Sequence, residues 1–203
     1  MKSFVLVLLV VFLLSLFLGC ISTPNQNNEV DKNSFQVIVD KNPVVVFETT
    51  KGIIEIELYK KEAPITVENF INYVNSGHYN GTIFHRVISG FMIQGGGFDV
   101  SGVERKTNPP ITLESKNGLH NTIGMVAMAR TKDPNSATSQ FFINTVVNPP
   151  LDYSEKSPGY AVFGKVISGM DTVYKIEGSK TGSHGFYQDW PKENIIITNA
   201  YMK

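Results

Sequence analysis

Apolar and polar residues alternate along this chain in short runs separated by turn-forming pairs. Val44–Thr49 and Ile53–Tyr59 flank Lys51-Gly52, the pattern of a β-hairpin. In the second run Ile54, Ile56 and Leu58 fall on one face, with Glu55 and Glu57 on the other. The period then changes. Val67, Phe70, Ile71 and Val74 recur at helical spacing between Ala63 and Gly77, with Pro64 suited to a first turn and Gly77 to a stop. Alternation returns in Ile83–Ile88, breaks at Ser89-Gly90, and resumes through Phe91–Gly97. A regular strand places Ile83, His85 and Val87 on one face and Phe84, Arg86 and Ile88 on the other. An arginine among apolar neighbours needs a reason, because a guanidinium keeps its charge there. Taken alone, Arg86 reads as a side chain snorkelling at a sheet edge.

Further on, Asp99–Lys116 is polar, contains Pro109-Pro110, and reads as a surface loop. Gly124–Arg130, Ser139–Thr145, Tyr160–Val166 and Asn194–Tyr201 read as strands, with loops at 131–138 and 178–192. Ser168-Gly169-Met170-Asp171 resembles a capping box that opens a short helix ending near Glu177. In Ser139–Thr145, Gln140, Phe142 and Asn144 share one face, and Phe141 and Ile143 the other. The first face is either a ligand groove or a solvated sheet face with one stray Phe. Asn80-Gly81-Thr82 matches a glycosylation acceptor and reads as a turn. Many short strands with two short helices predict a mainly β fold, a closed antiparallel barrel rather than βαβ units.

The N-terminus follows a different pattern. Lys2 precedes Phe4–Leu18, apolar except for Ser15, as in a signal-peptide h-region or a membrane anchor. Phe17-Leu18-Gly19-Cys20 resembles the lipobox of secreted lipoproteins, which makes Cys20 the candidate lipidation site. The alternatives are an uncleaved anchor with Lys2 on the cytoplasmic side, and simple cleavage with release. The first two place the remainder outside the cytoplasm, attached to the membrane. The polar stretch at 22–42 reads as a flexible tether, although Phe35–Val39 offers a short strand. The sequence thus divides into a leader at 1–21, a tether at 22–42 and a folded domain at 43–203.

Composition narrows the chemistry. In the 203 residues, 18 basic side chains balance 18 acidic ones, and no basic stripe points to nucleic acid. The single cysteine, Cys20, excludes an internal disulfide. His78, His85, His120 and His184 lack metal-ligand spacing, so no metal is expected. Gly95-Gly96-Gly97 lacks the Lys-Ser/Thr of a phosphate loop, and there is no nucleophile elbow. What remains is a polar and aromatic set, Arg86, Gln94, Gln140 and Asn144 among Phe91, Met92 and Phe142. Such a set suits a neutral, partly apolar peptide.

These blocks resemble the cyclophilin family of peptidyl-prolyl cis-trans isomerases. The likeness runs from about Val44 to Tyr201 and rests on Phe84–Gly96, Met128-Ala129-Arg130, Ser139–Ile143 and Val162–Val166. It implies an eight-stranded antiparallel β-barrel capped by two helices, with the groove on its outer surface. It implies a site of His85, Arg86, Phe91, Met92, Gln94, Ala129, Arg130, Gln140, Phe142, Leu151 and Tyr160. Pro150 stands where animal members carry the Trp that favours cyclosporin, and Tyr160 stands where His is common. Both are similar to the bacterial-type branch. Strict alternation does not set Phe91 beside Met92 and Gln94, so the resemblance calls for a local bulge there. The implied mechanism needs no cofactor. Arg86, with Gln94 and Phe91 as the other catalytic candidates, donates to the prolyl nitrogen as the X-Pro bond of an unfolded protein segment twists. Two other readings use the same residues: a tethered peptide-holding module with negligible turnover, and an Arg-His hydrolase, which lacks a nucleophile. A monomer is expected.

Overall fold

The computed structural model describes residues 41–203. The leader, Cys20, the Phe35–Val39 run and nearly all of the tether lie outside the described residues. From Val44 the alternating runs become strands. β1 (Val44–Thr49) and β2 (Gly52–Leu58) form the hairpin around Lys51. Then come α1 (Pro64–Asn75), β3 (Thr82–Ile88), β4 (Met92–Asp99), β5 (Met125–Met128), β6 (Phe141–Asn144) and β7 (Val162–Ser168). The chain ends with α2 (Met170–Glu177), β8 (Thr181–His184), β9 (Tyr187–Pro191) and β10 (Ile196–Met202). Eight strands close into an antiparallel barrel in the order β1-β10-β3-β4-β6-β5-β7-β2, and β8 and β9 form a separate hairpin.

The barrel has no lumen. Phe47, Phe84, Phe141 and Phe163 fill it with Ile54, Ile56 and Leu58, all fully buried. Phe70 of α1 plugs one end, its ring 4.8 Å from that of Phe163 and 5.1 Å from Tyr79. A ligand therefore has to bind outside the wall, because the interior is packed with side chains.

α1 buries the predicted stripe, with Val67, Phe70 and Val74 in the core and Ile71 packed at its edge. Its N-terminal residue Ala63 offers no side-chain cap. The Glu114 carboxylate does the work from 48 residues away, accepting Thr66 N–H at 2.7 Å and Ile65 N–H at 3.1 Å. A carboxylate there satisfies orphan donors and faces the positive end of the helix. At the other end Gly77 N–H bonds Val74 O and His78 N–H bonds Tyr73 O, both at 3.0 Å, a Schellman closure.

Three expectations are corrected. Ser168 does not cap α2, since it is the last residue of β7 and Gly169 holds the cap position with no side-chain bond. Gly169 has φ of 88°, and a Cβ there would lie 2.1 Å from Ile53 O, so close chain approach selects glycine rather than a capping box. The 178–192 stretch is not all loop, because it contains the β8–β9 hairpin. Finally, β3 is not regular. Phe84 pairs with Gly95 and Arg86 with Gln94, so His85 is an extra residue, a β-bulge. Phe84 and Val87 enter the barrel core, while His85 packs outside on Phe98 and Arg86 turns into the outer groove. Arg86 therefore shares no face with Phe84, and Val87 none with His85.

Candidate active site

The bulge exposes Arg86 to a groove of about 330 Å3 on the outer wall of β3, β4 and β6. Alternation builds its floor. Ile93, Phe141 and Ile143 point into the barrel, so Met92 and Phe142 point out. Both are nearly buried, because Phe91, Ala129, Leu151 and Tyr160 pack around them. Tyr160 meets Phe142 edge-on, with ring centres 5.6 Å apart. A short 3₁₀ turn, Pro149–Leu151, brings Leu151 to the rim, and Leu151 O accepts Tyr160 N–H at 2.9 Å. Phe91 precedes β4 and is placed by a turn rather than by the bulge expected beside it. Its N–H donates to Ile88 O, and its carbonyl accepts from Thr145 N–H at 3.1 Å and from Asn148 Nδ2 at 3.0 Å.

The polar wall is a relay of amides. Gln140 Oε1 accepts from Gln94 Nε2 at 2.9 Å. Gln94 Oε1 in turn faces Arg86 Nη1 at 3.4 Å. Among the described residues no carboxylate forms an ion pair with Arg86. Among those residues its guanidinium is thus oriented but not neutralised, and they leave most of its N–H groups to a ligand. Arg130 differs. It donates from Nε and Nη2 to Gly159 O at 2.9 and 2.7 Å, and from Nη1 to Thr131 O at 2.8 Å. Its charge sits 4.5 Å over the Tyr160 ring, so it braces the wall. Ala129 N–H donates to Gln140 O at 2.9 Å, tying the loop after β5 to the relay.

His85 is 4 % exposed, against Phe98 at 4.6 Å and Trp190 at 5.8 Å. Among the described residues its Nδ1 has no hydrogen-bond partner. Burial pushes its pKa down to about 4, and the Arg86 charge acts in the same direction. Both effects favour the neutral ring at pH 7.

All eleven residues implied by the family resemblance line this one groove. Asn144, set among them by strand alternation, does not reach it. It is fully buried and donates to Asn121 Oδ1 at 3.2 Å and to Met125 O at 3.0 Å. Four lining residues escaped the sequence reading: Phe98, Glu104, Tyr187 and Gln188. Phe98 could have been found as the next outward position after Gly97. The other three come from stretches read as loop and carried no signal.

The groove thus joins an apolar floor to a guanidinium with no ion-pair partner among the described residues, three glutamine amides and the Glu104 carboxylate, with no Ser, Thr or Cys in its lining. Comparison with known proteins agrees with that chemistry. Residues 44–202 match the model of the cyclophilin type peptidyl-prolyl cis-trans isomerase family, and the chain belongs to that family. It is 53 % identical over 162 residues to a peptidyl-prolyl cis-trans isomerase of Acinetobacter baylyi, covering 80 % of this chain and 86 % of that one. Against peptidyl-prolyl cis-trans isomerase B of Escherichia coli it is 53 % identical over 160 residues, covering 77 % and 98 %. Among solved structures it resembles a cyclophilin type isomerase of Cryptosporidium parvum, crystallised in the presence of the dipeptide Ala-Pro. The TM-score is 0.65 and the identity 30 %, over 79 % of this chain and 98 % of the other. The chain is accordingly a peptidyl-prolyl cis-trans isomerase.

Proposed function

We propose that this isomerase rotates X-Pro bonds in exported, unfolded polypeptides by a non-covalent route centred on Arg86. Rotation about the amide costs roughly 18–20 kcal/mol because the C–N bond has partial double-bond character. At the twisted transition state the prolyl nitrogen becomes pyramidal and gains a lone pair. A donor aimed at that nitrogen binds the transition state better than either planar ground state. The observation carrying this reading is the Arg86 guanidinium, steered by Gln94 and without a carboxylate partner among the described residues, in one groove with Phe91, Met92, Phe142 and Leu151. Those four side chains hold the proline ring. Gln94 and the backbone beside Arg130 hold the rotating carbonyl and the chain. No proton transfer occurs, consistent with a neutral His85.

Pro150 and Tyr160 support membership of the bacterial-type branch. The apolar run Phe4–Leu18 and the Phe17–Cys20 motif support a site of action outside the cytoplasm, held to the membrane through lipidated Cys20 or an uncleaved leader. Mass spectrometry of the mature N-terminus tests this directly. A diacylglyceryl Cys20 or an intact Met1 supports attachment, and a free cleaved terminus removes it. For the mechanism, Arg86→Ala should keep the thermal unfolding midpoint and lower catalysed exchange of a proline peptide roughly 10²–10³-fold, the cost of losing one preorganised donor. Near wild-type turnover would remove Arg86 from the chemistry.

A further inference from the structure

The end of the groove beyond His85 is built differently from the floor that holds the proline. Glu104 is the one carboxylate among its lining residues. Its backbone is held in a closed turn: Glu104 pairs across from Phe98 in an isolated β-bridge, and Asp99 Oδ1 accepts Ser101 N–H at 2.8 Å and Val103 N–H at 3.1 Å within the same turn. Arg105 N–H closes the far side on Gly97 O at 2.9 Å. Among the described residues Glu104 has no ion-pair partner, and its neighbour Arg105 is turned away onto His78 O and Asn80 O. Tyr187 lines the same end. Its ring packs edge-on against Phe98 at 5.2 Å and tilted against buried Trp190 at 5.7 Å, yet it remains 47 % exposed. Trp190 is itself stacked on His184 at 4.4 Å, so the hairpin presents Tyr187 on an aromatic base.

An exposed carboxylate on a hydrogen-bonded turn, lining the same groove as a half-exposed aromatic ring, is a receptor for a cation carried on an aliphatic stem. We infer that Glu104 and Tyr187 form a subsite for a Lys or Arg side chain that flanks the proline of the client, with Gln188 offering an amide to the client backbone. This rests on the groove being the X-Pro site and adds a preference for basic flanking sequence. The ring accommodates the methylenes and the cation, and the carboxylate pairs with the charge.

The experiment measures kcat/KM of the full chain on matched peptides. One series has Leu at every position flanking X-Pro, and others carry Lys or Glu at one flanking position at a time. The expected result is a Lys-over-Leu ratio of about three at one position, the size of an exposed pair, and a Glu-over-Leu ratio below one there. In Glu104→Gln the Lys-over-Leu ratio falls to about one, and in Glu104→Lys the order of Lys and Glu peptides reverses. At about 1 M salt the wild-type ratio also collapses, since screening then acts within about 3 Å. Equal ratios at all positions, or a Lys preference that Glu104→Gln retains, overturn the subsite alone. Failure to turn over the Leu series overturns the groove reading and the subsite with it.

Discussion

Gln94 donates its side-chain amide to Gln140 Oε1 at 2.9 Å, and that bond decides which way its own oxygen faces. With Nε2 committed to Gln140, Oε1 is turned to Arg86 Nη1. Arg86 is aimed by an amide that is itself aimed by another amide. Gln94→Leu keeps the volume and removes both bonds. Turnover of a short proline peptide should fall about tenfold or more, as expected when a hydrogen bond to a charged group is lost. Gln140→Leu should fall less, because Arg86 keeps its direct partner. Equal, negligible effects of both in a peptide exchange assay would show that Arg86 needs no aiming.

Two neighbouring glycines support the relay in different ways. A Cβ at Gly97 would stand 2.6 Å from the Gln140 side chain, which is flexible and can move. Gly97→Ala should fold normally and lose activity, because displaced Gln140 no longer fixes Gln94. Gly96 has φ of 84°, and a Cβ there would meet buried Tyr79 at 2.8 Å and Ser139 O at 3.0 Å. Gly96→Ala should cost about 2 kcal/mol or more of stability, from backbone strain together with core overpacking. Denaturant unfolding of both variants beside their turnover separates the two effects.

His85 makes stability depend on pH. Its folded pKa of about 4 lies below the ordinary histidine value of 6.5, so the unfolded chain binds a proton that the folded one refuses. Stability from this residue is complete above about pH 7 and falls as pH drops from 6.5 to about 4. The full loss is about 3 kcal/mol. His85→Gln should remove that part of the slope in unfolding titrations. An unchanged slope would mean that His85 titrates elsewhere. The rate should be flat between about pH 6 and pH 9, since no proton moves.

Glu114 caps α1 from a distant loop, so its removal should act on stability rather than chemistry. Glu114→Ala strands the Ile65 and Thr66 N–H groups. The expected cost is about 1–2 kcal/mol in chemical denaturation, similar to loss of an N-cap side chain. A loss below about 0.3 kcal/mol would mean that solvent replaces the carboxylate without penalty.

What could be read from the sequence follows from where its signals are local. Ile54, Ile56 and Leu58 alternate, and Val67, Phe70 and Val74 keep helical spacing, because each run faces a single core. The His85 bulge breaks that logic. Its extra residue is fixed by pairing of Phe84 with Gly95 and Arg86 with Gln94, and a period of two cannot show it. Asn144 failed for a related reason. Outward on β6 means groove at Phe142 but a buried amide network at Asn144, where Asn121 and Asn148 close over it. The β8–β9 hairpin has Gly182, Ser183 and Gly185 in place of apolar alternation, so it was silent, and Tyr187 and Gln188 with it. Arg86, Gln94, Gln140, Phe91, Met92 and Phe142 stood together as a polar and aromatic set, and the family likeness of the motifs added His85, Ala129, Arg130, Leu151 and Tyr160. Composition excluded other chemistries but would not have joined Leu151 and Tyr160 to Arg86, from which they are separated by more than sixty positions.

The most direct test of Arg86 separates binding from rotation. Peptide affinity and the cis–trans exchange rate of the bound peptide are measured together, by NMR line shapes, for wild type and Arg86→Ala. The expected result is a bound-state exchange rate lowered about 10²-fold, with affinity changed by no more than about threefold. An affinity lowered about 10²-fold with unchanged bound-state exchange would contradict it, and would make Arg86 a binding residue only.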